Sequence, residues 1–374
     1  MLVFQKGKMG SVETKNRFVH SPTYEALASS DGSCTQELID FNREIAEGGI
    51  GTNEISFAFV HESGRHLKGQ VGVHDDAMIP GLKKLTEVHG ATGVRSLIQI
   101  AHAGPHANET YSHAQSLAPT GMSNVKGGLS RTMTTGEIKK AVGWFVDAAK
   151  RVKSAGFDGV QIHAAHGYLV SAFLSPYYNR REDEYGGSFG NRLRFFLEIL
   201  HGIREEVGRD YPIMTKMNSE DQVEGGLTRE MMADVALALE ENGIDAIELS
   251  VGSNTDKAVP TVSSPGVDPK TPEEEGYFKE AARIYKRKVK NTPLILVGGF
   301  RSLEGSELVL KEGIADFISL SRPLVREPGL VKRWQDGDTK RARCVSCNLC
   351  RKFLFSQKVP YLMCIPEMKL QGKL

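Results

Sequence analysis

The chain predicts a (β/α)8 TIM barrel, and three observations carry that prediction. Short β-rich runs recur eight times, at residues 18–23, 49–56, 96–102, 159–165, 213–218, 246–251, 294–300 and 316–322. Each run ends in polar or glycine residues and gives way to apolar residues at helical spacing, the alternation that parallel crossover units require. A doubly wound sheet would place a Gly-rich phosphate turn after an early strand, yet no G-x-G-x-x-G follows the first or second run.

With 374 residues the chain can bury one large core. The expected division is a barrel over residues 1–335 and a short C-terminal tail, 336–374, that carries a cysteine cluster and packs on the barrel. Lys+Arg total 47 against 46 Asp+Glu, so no net charge recruits nucleic acid or an anionic membrane, and small-molecule chemistry is favoured. The first residues, Met1-Leu-Val-Phe-Gln-Lys, lack the apolar core of a signal peptide, and no run of about 18 apolar residues suggests a span. Four of five cysteines crowd into residues 344–364, unlike a secreted disulfide framework, so a reducing, cytoplasmic setting is expected.

Two of the intervening helices read clearly. Residues 137–155 place Ile138, Ala141, Val142, Phe145, Ala148, Ala149 and Val152 on one stripe, and residues 191–207 repeat the pattern. Three connections exceed ordinary length: 103–135, 171–190 and 252–275, the last with four prolines and read as a lid. Long excursions on the active face cap a site or make subunit contacts, so a homo-oligomer is expected.

Barrels assemble their sites at the C-terminal strand ends, so those ends are read together. They are Ser21-Pro22-Thr23-Tyr24, Ser56-Phe57, Gln99 with His102, His163 to Tyr168, Lys216, Gly298-Gly299-Phe300 and Ser321-Arg322. The run Gly159-Val-Gln-Ile-His163-Ala-Ala-His166-Gly-Tyr168 feeds an apolar strand into two imidazoles and a phenol, groups that are costly to bury without partners. The two histidines share a cavity only if the chain bends between them, which Gly167 makes cheap. Three chemistries fit: a two-histidine metal site, an acid/base pair with Tyr168 as proton donor, or two neutral donors on a carbonyl oxygen.

Gly298, Gly299, a helix start near Ser302 and Arg322 are the parts of a phosphate grip at the seventh and eighth strands; otherwise the glycines merely permit tight packing. Gln99 and Lys216 interrupt apolar strands, and a lysine rarely enters a barrel without a negative charge to meet. A planar, hydrogen-bonding, phosphate-bearing cofactor would answer both; an outward-facing lysine is the alternative.

These pieces match a family. Asn16-Arg-Phe-Val-His-Ser-Pro22, Gln99-Ile-Ala-His-Ala-Gly104, Gly159 to Leu169, Ser175-Pro, Asn179-Arg, Asp183-Glu-Tyr-Gly-Gly-Ser188, Asn191-Arg-Leu-Arg-Phe195 and Val297-Gly-Gly299 stand in an order that resembles the old yellow enzyme family of FMN-dependent oxidoreductases. The resemblance runs from about Asn16 to Arg333. It implies FMN across the barrel mouth, reduced by NAD(P)H and reoxidised by an α,β-unsaturated carbonyl compound in the same pocket. Ser21, Pro22, Thr23, Tyr24 and Phe57 would line the flavin, Gln99 and Lys216 would meet its pyrimidine edge, and Gly298, Gly299, Ser321 and Arg322 would hold the phosphate. His163 and His166 would grip the substrate carbonyl, and Tyr168 would protonate the α-carbon. The stretch Asn179 to Phe195 reads as a self-bonded loop.

The chain also departs from the family. Lys216 stands where arginine is usual and Ser321 where glycine is usual. Tyr24 replaces a flavin-tuning threonine or cysteine, and Ala26 a substrate-contacting tyrosine found in some members. Cys344, Cys347, Cys350 and Cys364 resemble the cluster ligands of dienoyl-CoA reductase-like relatives, with the third cysteine one residue early, so a [4Fe-4S] cluster or zinc enters as a further expectation. Two rival activities follow: a flavin/iron-sulfur dehydrogenase of amines, and a metal- or Schiff-base-dependent barrel lyase using Lys216 or the histidines.

Overall fold

The computed structural model describes residues 1–123, 128–253 and 267–373. Eight parallel strands close a barrel in sequence order: β1 (Phe18–His20), β2 (Thr52–Phe59), β3 (Arg95–Ala101), β4 (Gly159–Ala164), β5 (Ile213–Asn218), β6 (Ala246–Ser250), β7 (Leu294–Val297) and β8 (Phe317–Leu320). All eight predicted runs are strands of this barrel.

The crossover helices are α1 (Gln36–Glu47), α2 (Ile79–Thr92), α3 (Thr135–Ser154), α4 (Phe189–Val207), α5 (Arg229–Glu241), α6 (Lys279–Lys288) and α7 (Leu303–Lys311). Five begin with a Ser or Thr whose side chain accepts a backbone N–H of the first turn: Thr35, Thr134, Ser188, Thr228 and Ser302. Thr134 and Glu137 complete a reciprocal capping box on α3. Such caps satisfy donors that a strand-to-helix turn would leave bare, each worth about 1 kcal/mol.

Inside the barrel the period of two sorts residues by depth. Val19, Leu97, Met214, Ala246, Ile295 and Phe317 form an apolar floor, plugged from below by Met9 of the hairpin Gly7–Met9/Val12–Thr14. Above them the interior turns polar.

Strand β2 departs from the expected bounds. It continues to Phe59, and its register with β3 shifts between Ile55 and Phe57. Ser56 takes the extra place with φ of +42°. The bulge turns Phe57 inward, where strict alternation after Glu54 would have presented Ser56.

The connection after β3 is structured locally, with a short helix (Glu109–Ser112) and a two-residue strand pair, Leu117–Ala118 with Arg131–Thr132. The connection after β4 is self-bonded as expected: Arg181 pairs with Asp183 at 2.5 Å, and Asn179 donates to Phe173 O and Tyr185 O. The predicted lid, 252–275, lies mostly outside the described residues. Among the described residues, no helix is long and apolar enough to cross a membrane.

After β8 follow α8 (Arg322–Arg326), α9 (Leu330–Gln335), α10 (Leu349–Phe355) and α11 (Ile365–Leu370). Buried Arg301 ties this segment down, its guanidinium donating to Cys344 O at 3.0 Å and Ser346 Oγ at 2.6 Å. Leu354, Val359, Leu362 and Ile365 form a small core against Tyr24, Ala26 and Val325.

Candidate active site

A cavity of about 260 Å³ opens at the C-terminal mouth of the barrel, and every residue expected there from the strand ends of β1, β4, β5, β7 and β8 lines it. Ser21, Pro22, Thr23, Tyr24, Phe57, Gln99, His163, His166, Tyr168, Lys216, Gly298, Gly299, Ser321 and Arg322 all border this one space. His102 does not: it turns outward, stacks on Trp144 and bonds Ser63 Oγ at 3.1 Å. It therefore offers no third ligand to the histidine pair.

The floor of the cavity is a hydrogen-bonded polar layer. Gln99 donates to Gln161 Oε1 at 2.6 Å, and Gln161 donates to Glu248 Oε2 at 3.2 Å. Ser21 and Ser319 each donate to Glu248 Oε1 at 2.9 Å. Lys216 Nζ lies 3.1 Å from the same oxygen and 2.7 Å from Ser21 Oγ. The negative charge that buried Lys216 requires is thus Glu248 of this chain. Burial opposes ionisation of Glu248, but the Lys216 cation and the two hydroxyls outweigh it and hold its carboxyl below the usual range.

Glu54 faces Glu248 in the same layer. Burial, and then the Glu248 charge, push its carboxyl well up, in favour of the protonated form. Two ionised carboxylates would offer each other only acceptors, leaving both Glu54 oxygens without a partner. A proton on Glu54 supplies the donor. Glu54 and Glu248 were absent from the sequence expectations, although a carboxylate inside an apolar strand run (Asn53-Glu54-Ile55, Ile247-Glu248-Leu249) is the same signal that identified Lys216.

His163 sits near the end of β4, and the chain leaves extension at His166, itself at φ +62°, one residue before Gly167 at +75°. The rings meet edge to face with centroids 5.2 Å apart. Ala165 N–H donates to His163 Nδ1 at 3.2 Å, so Nδ1 is an acceptor and the ring proton sits on Nε2. His166 Nε2 bonds Ser250 Oγ at 2.8 Å; when that nitrogen accepts the hydroxyl, Nδ1 carries the proton. Burial pushes His163 far down and His166 to about 3, so both are neutral at pH 7. Neutral imidazoles with one N–H each are hydrogen-bond donors that keep their proton.

Tyr168 closes the group. Its ring lies 4.7 Å from His163, and Phe57, His66 and His106 enclose it at 5.9, 5.7 and 6.2 Å. Burial pushes the phenol up, so it stays protonated across the physiological range.

The phosphate-grip residues converge as well. Gly298 and Gly299 take φ of +118° and +80°, conformations that favour glycine and leave successive N–H groups bare. A Cβ at Gly299 would stand 2.5 Å from the Tyr277 ring. Ser321 precedes α8 and bonds Thr23 Oγ1 at 2.9 Å, while Arg322 donates to Asn348 Oδ1 at 2.5 Å. Polar groups on the floor, bare amides with an arginine at one end and aromatic walls fit a flat, phosphate-bearing flavin such as FMN.

The upper wall was missed by strand-end reasoning. Cys350, Arg351, Leu354 and Phe355 of α10, with Leu362, line the cavity from the tail, and Tyr277 and Phe278 line it from the start of α6. Tyr24 donates to Lys68 O and wedges between Phe57 and Phe355, with centroids at 5.9 and 6.0 Å.

Cys344, Cys347, Cys350 and Cys364 border one small neighbouring cavity, which shares Arg322, Val325 and Cys350 with the main one. Burial pushes the Cys350 thiol up to about 11 and that of Cys364 up as well. Among the described residues, no three His, Cys, Asp or Glu side chains form a group that could hold a metal ion.

Residues 3–341 match the family described as NADH:flavin oxidoreductase / NADH oxidase. The chain is 37% identical over 357 residues to an NADH oxidase of Thermoanaerobacter brockii, covering 93% of this chain and 53% of that protein. It is 31% identical over 379 residues to a 4,4'-dithiodibutanoate disulfide reductase of Rhodococcus erythropolis, covering 95% of this chain and 93% of that one. Among solved structures, a 2-naphthoyl-CoA reductase complex superposes with a TM-score of 0.85 at 29% identity, over 93% of this chain and 54% of the other. The chain thus spans about half the length of two of these three proteins and nearly all of the third. By its sequence, its barrel and its cavity, it belongs to the NADH:flavin oxidoreductase / NADH oxidase family, the old yellow enzyme family that its motifs resemble.

Proposed function

We propose that the chain is an FMN-dependent NAD(P)H oxidoreductase that reduces the C=C bond of an α,β-unsaturated carbonyl compound. Bound FMN would supply the hydride carrier between nicotinamide and substrate. Gln99 and Lys216 would meet its pyrimidine edge, Ser21 to Tyr24 and Phe57 would line it, and Gly298, Gly299, Ser321 and Arg322 would hold its phosphate.

The observation that carries the reading is the protonation of the β4 cluster. The Ala165 amide fixes His163 as an Nε2–H donor, His166 is neutral beside it, and both face the cavity. Two neutral donors on one carbonyl oxygen stabilise the negative charge that grows there as the β-carbon gains a hydride. Tyr168, protonated and 4.7 Å from His163 between ring centroids, is the proton source for the α-carbon. The lyase reading loses its nucleophile, since Lys216 is held by Glu248.

The test is direct. Purified protein reconstituted with FMN is mixed anaerobically with NADH or NADPH, then with 2-cyclohexenone. Flavin bleaching by at least one nicotinamide and recovery on adding the enone are expected. No bleaching by either would overturn the proposal. Because the relatives are named for a disulfide and a naphthoyl thioester, a dialkyl disulfide and an aryl thioester belong in the acceptor panel.

A second reading, an iron-sulfur cluster on the tail serving a dehydrogenase, has one observation in its favour: all four thiols border a single cavity beside the flavin cavity. Iron and acid-labile sulfide near zero in anaerobically purified protein would remove it.

A further inference from the structure

Four cations line the main cavity, and no aspartate or glutamate does so among the described residues. Three of the four are anchored within the protein. Lys216 is paired with Glu248, Arg301 is spent on Cys344 O, Ser346 Oγ and Phe300 O, and Arg322 donates to Asn348. Arg351 differs. Its guanidinium lies over the Phe355 ring, 5.3 Å from the centroid, a contact that holds it in place and satisfies none of its N–H donors. Among the described residues it makes neither a hydrogen bond nor an ion pair.

Its position gives the vacancy a direction. Arg351 projects from α10, on the β8 side of the mouth, and its charge acts on both Tyr168 and His166 of the β4 side. Arg322 of the phosphate grip also acts on Arg351, but less than Tyr168 does, and is itself anchored on Asn348. A guanidinium fork held by an aromatic ring beside the carbonyl grip is half of an ion pair, and a carboxylate is the planar partner that matches it with two parallel hydrogen bonds.

We propose that Arg351 is a specificity-determining residue that binds a carboxylate on the oxidising substrate while His163 and His166 hold its carbonyl oxygen. The proposal rests on the ene-reductase reading of the cavity and narrows its substrates to enones that bear an anion. Turnover is unchanged in its balance: hydride to the β-carbon, proton to the α-carbon, and the carboxylate a spectator that orients both.

A matched pair of probes tests it in the FMN-loaded protein: 4-oxopent-2-enoate and its methyl ester as substrates, and 4-oxopentanoate and its methyl ester as non-reacting ligands followed by flavin absorbance. A charge-assisted bidentate contact predicts an acid preference of about ten- to a hundredfold in KM and Kd. R351Q should bring the acid-to-ester ratio close to one, and R351K should restore part of it. An acid-to-ester ratio near one in the wild type, or a ratio that R351Q leaves intact, would overturn the proposal. So would an R351Q effect confined to the NADH or NADPH reductive half-reaction, which would assign the arginine to a nicotinamide phosphate. If neither enone is turned over, the ene-reductase reading fails, while the Kd pair still reports on the arginine.

Discussion

The two carboxylates beneath the cavity should behave as one charge with two possible seats. Glu248 holds that charge because Lys216 Nζ is 3.1 Å away, with 7% and 0% of the two side chains exposed. At an effective dielectric constant of 20, that separation corresponds to about 5 kcal/mol of attraction before desolvation. Breaking such a pair outright costs about 3–5 kcal/mol, because the surviving ion stays buried. In Glu248→Gln, however, Glu54 loses the neighbour that keeps it protonated and can ionise in its place. The single substitution should therefore cost only about 1–2 kcal/mol, well short of a broken pair. Glu54→Gln alone keeps a neutral hydrogen-bond donor beside Glu248 and should cost less than about 1 kcal/mol. The double substitution leaves Lys216 with no counterion and should show the full loss, a coupling of about 2 kcal/mol between the sites. Urea unfolding at pH 7, followed by circular dichroism with m-values compared across the four proteins, measures the cycle. Additive losses, or a double variant no less stable than Glu248→Gln, would refute the shared charge.

Other expectations follow from the same geometry. Tyr168→Phe keeps every ring contact and removes a hydroxyl that has no hydrogen-bond partner among the described residues, so flavin reduction by NAD(P)H should persist while enone reduction falls by about 10²–10⁴, read by stopped-flow of the separate half-reactions; an unchanged enone rate would remove the phenol from the chemistry. Gly299→Ala forces a non-glycine residue to φ +80° and a methyl carbon to within 2.5 Å of Tyr277, so retention of FMN through gel filtration should drop with a stability loss of about 1–3 kcal/mol; full retention would mean the loop is not part of the grip. Burial holds His20 and His89 down at about 4 and His102, His106 and His166 at about 3, whereas the unfolded chain takes up protons near 6.5. Below that pH the unfolded state binds more protons, so acidification costs up to about 1.4 kcal/mol per pH unit for each histidine. Glu54, raised in the fold, works in the opposite direction between about 4.5 and its folded value. The net expectation is a melting temperature that falls steadily from pH 7 to pH 5, and a flat profile would contradict the buried neutral histidines.

Most of the barrel was legible because its signals are local. A strand run and an apolar helical stripe each fit within about 20 residues, and all eight strands and the helices after β3 and β4 followed from them. The strand-end rule then placed residues from Ser21 to Arg322 around one cavity without any knowledge of contacts. It failed where geometry is not local. The bulge at Ser56 depends on how β2 registers against β3, which no periodicity in β2 announces. His102 shares a strand end with Gln99 but has turned outward onto Trp144. The tail wall depends on Arg301 reaching across more than 40 residues to Cys344 and Ser346, and on Leu362 N–H donating to Glu25 O. Glu54 and Glu248 were legible and overlooked: acidic residues inside apolar runs carry the same message as Lys216.

The tail that roofs the cavity divides labour within the chain. In the proposed reaction the residues at the hydride and proton positions belong to the barrel, where Gln99, His163 and Lys216 stand on strands. The roof belongs to one short helix resting on a four-residue core. Its cavity-facing residues stand apart from the β4 cluster, so variation there would retune which molecules enter more than it would alter the groups on the strands. A mutagenesis library confined to Arg351, Leu354, Phe355 and Leu362 is the economical place to search for new selectivity, and a swap of this segment between relatives is the corresponding natural experiment.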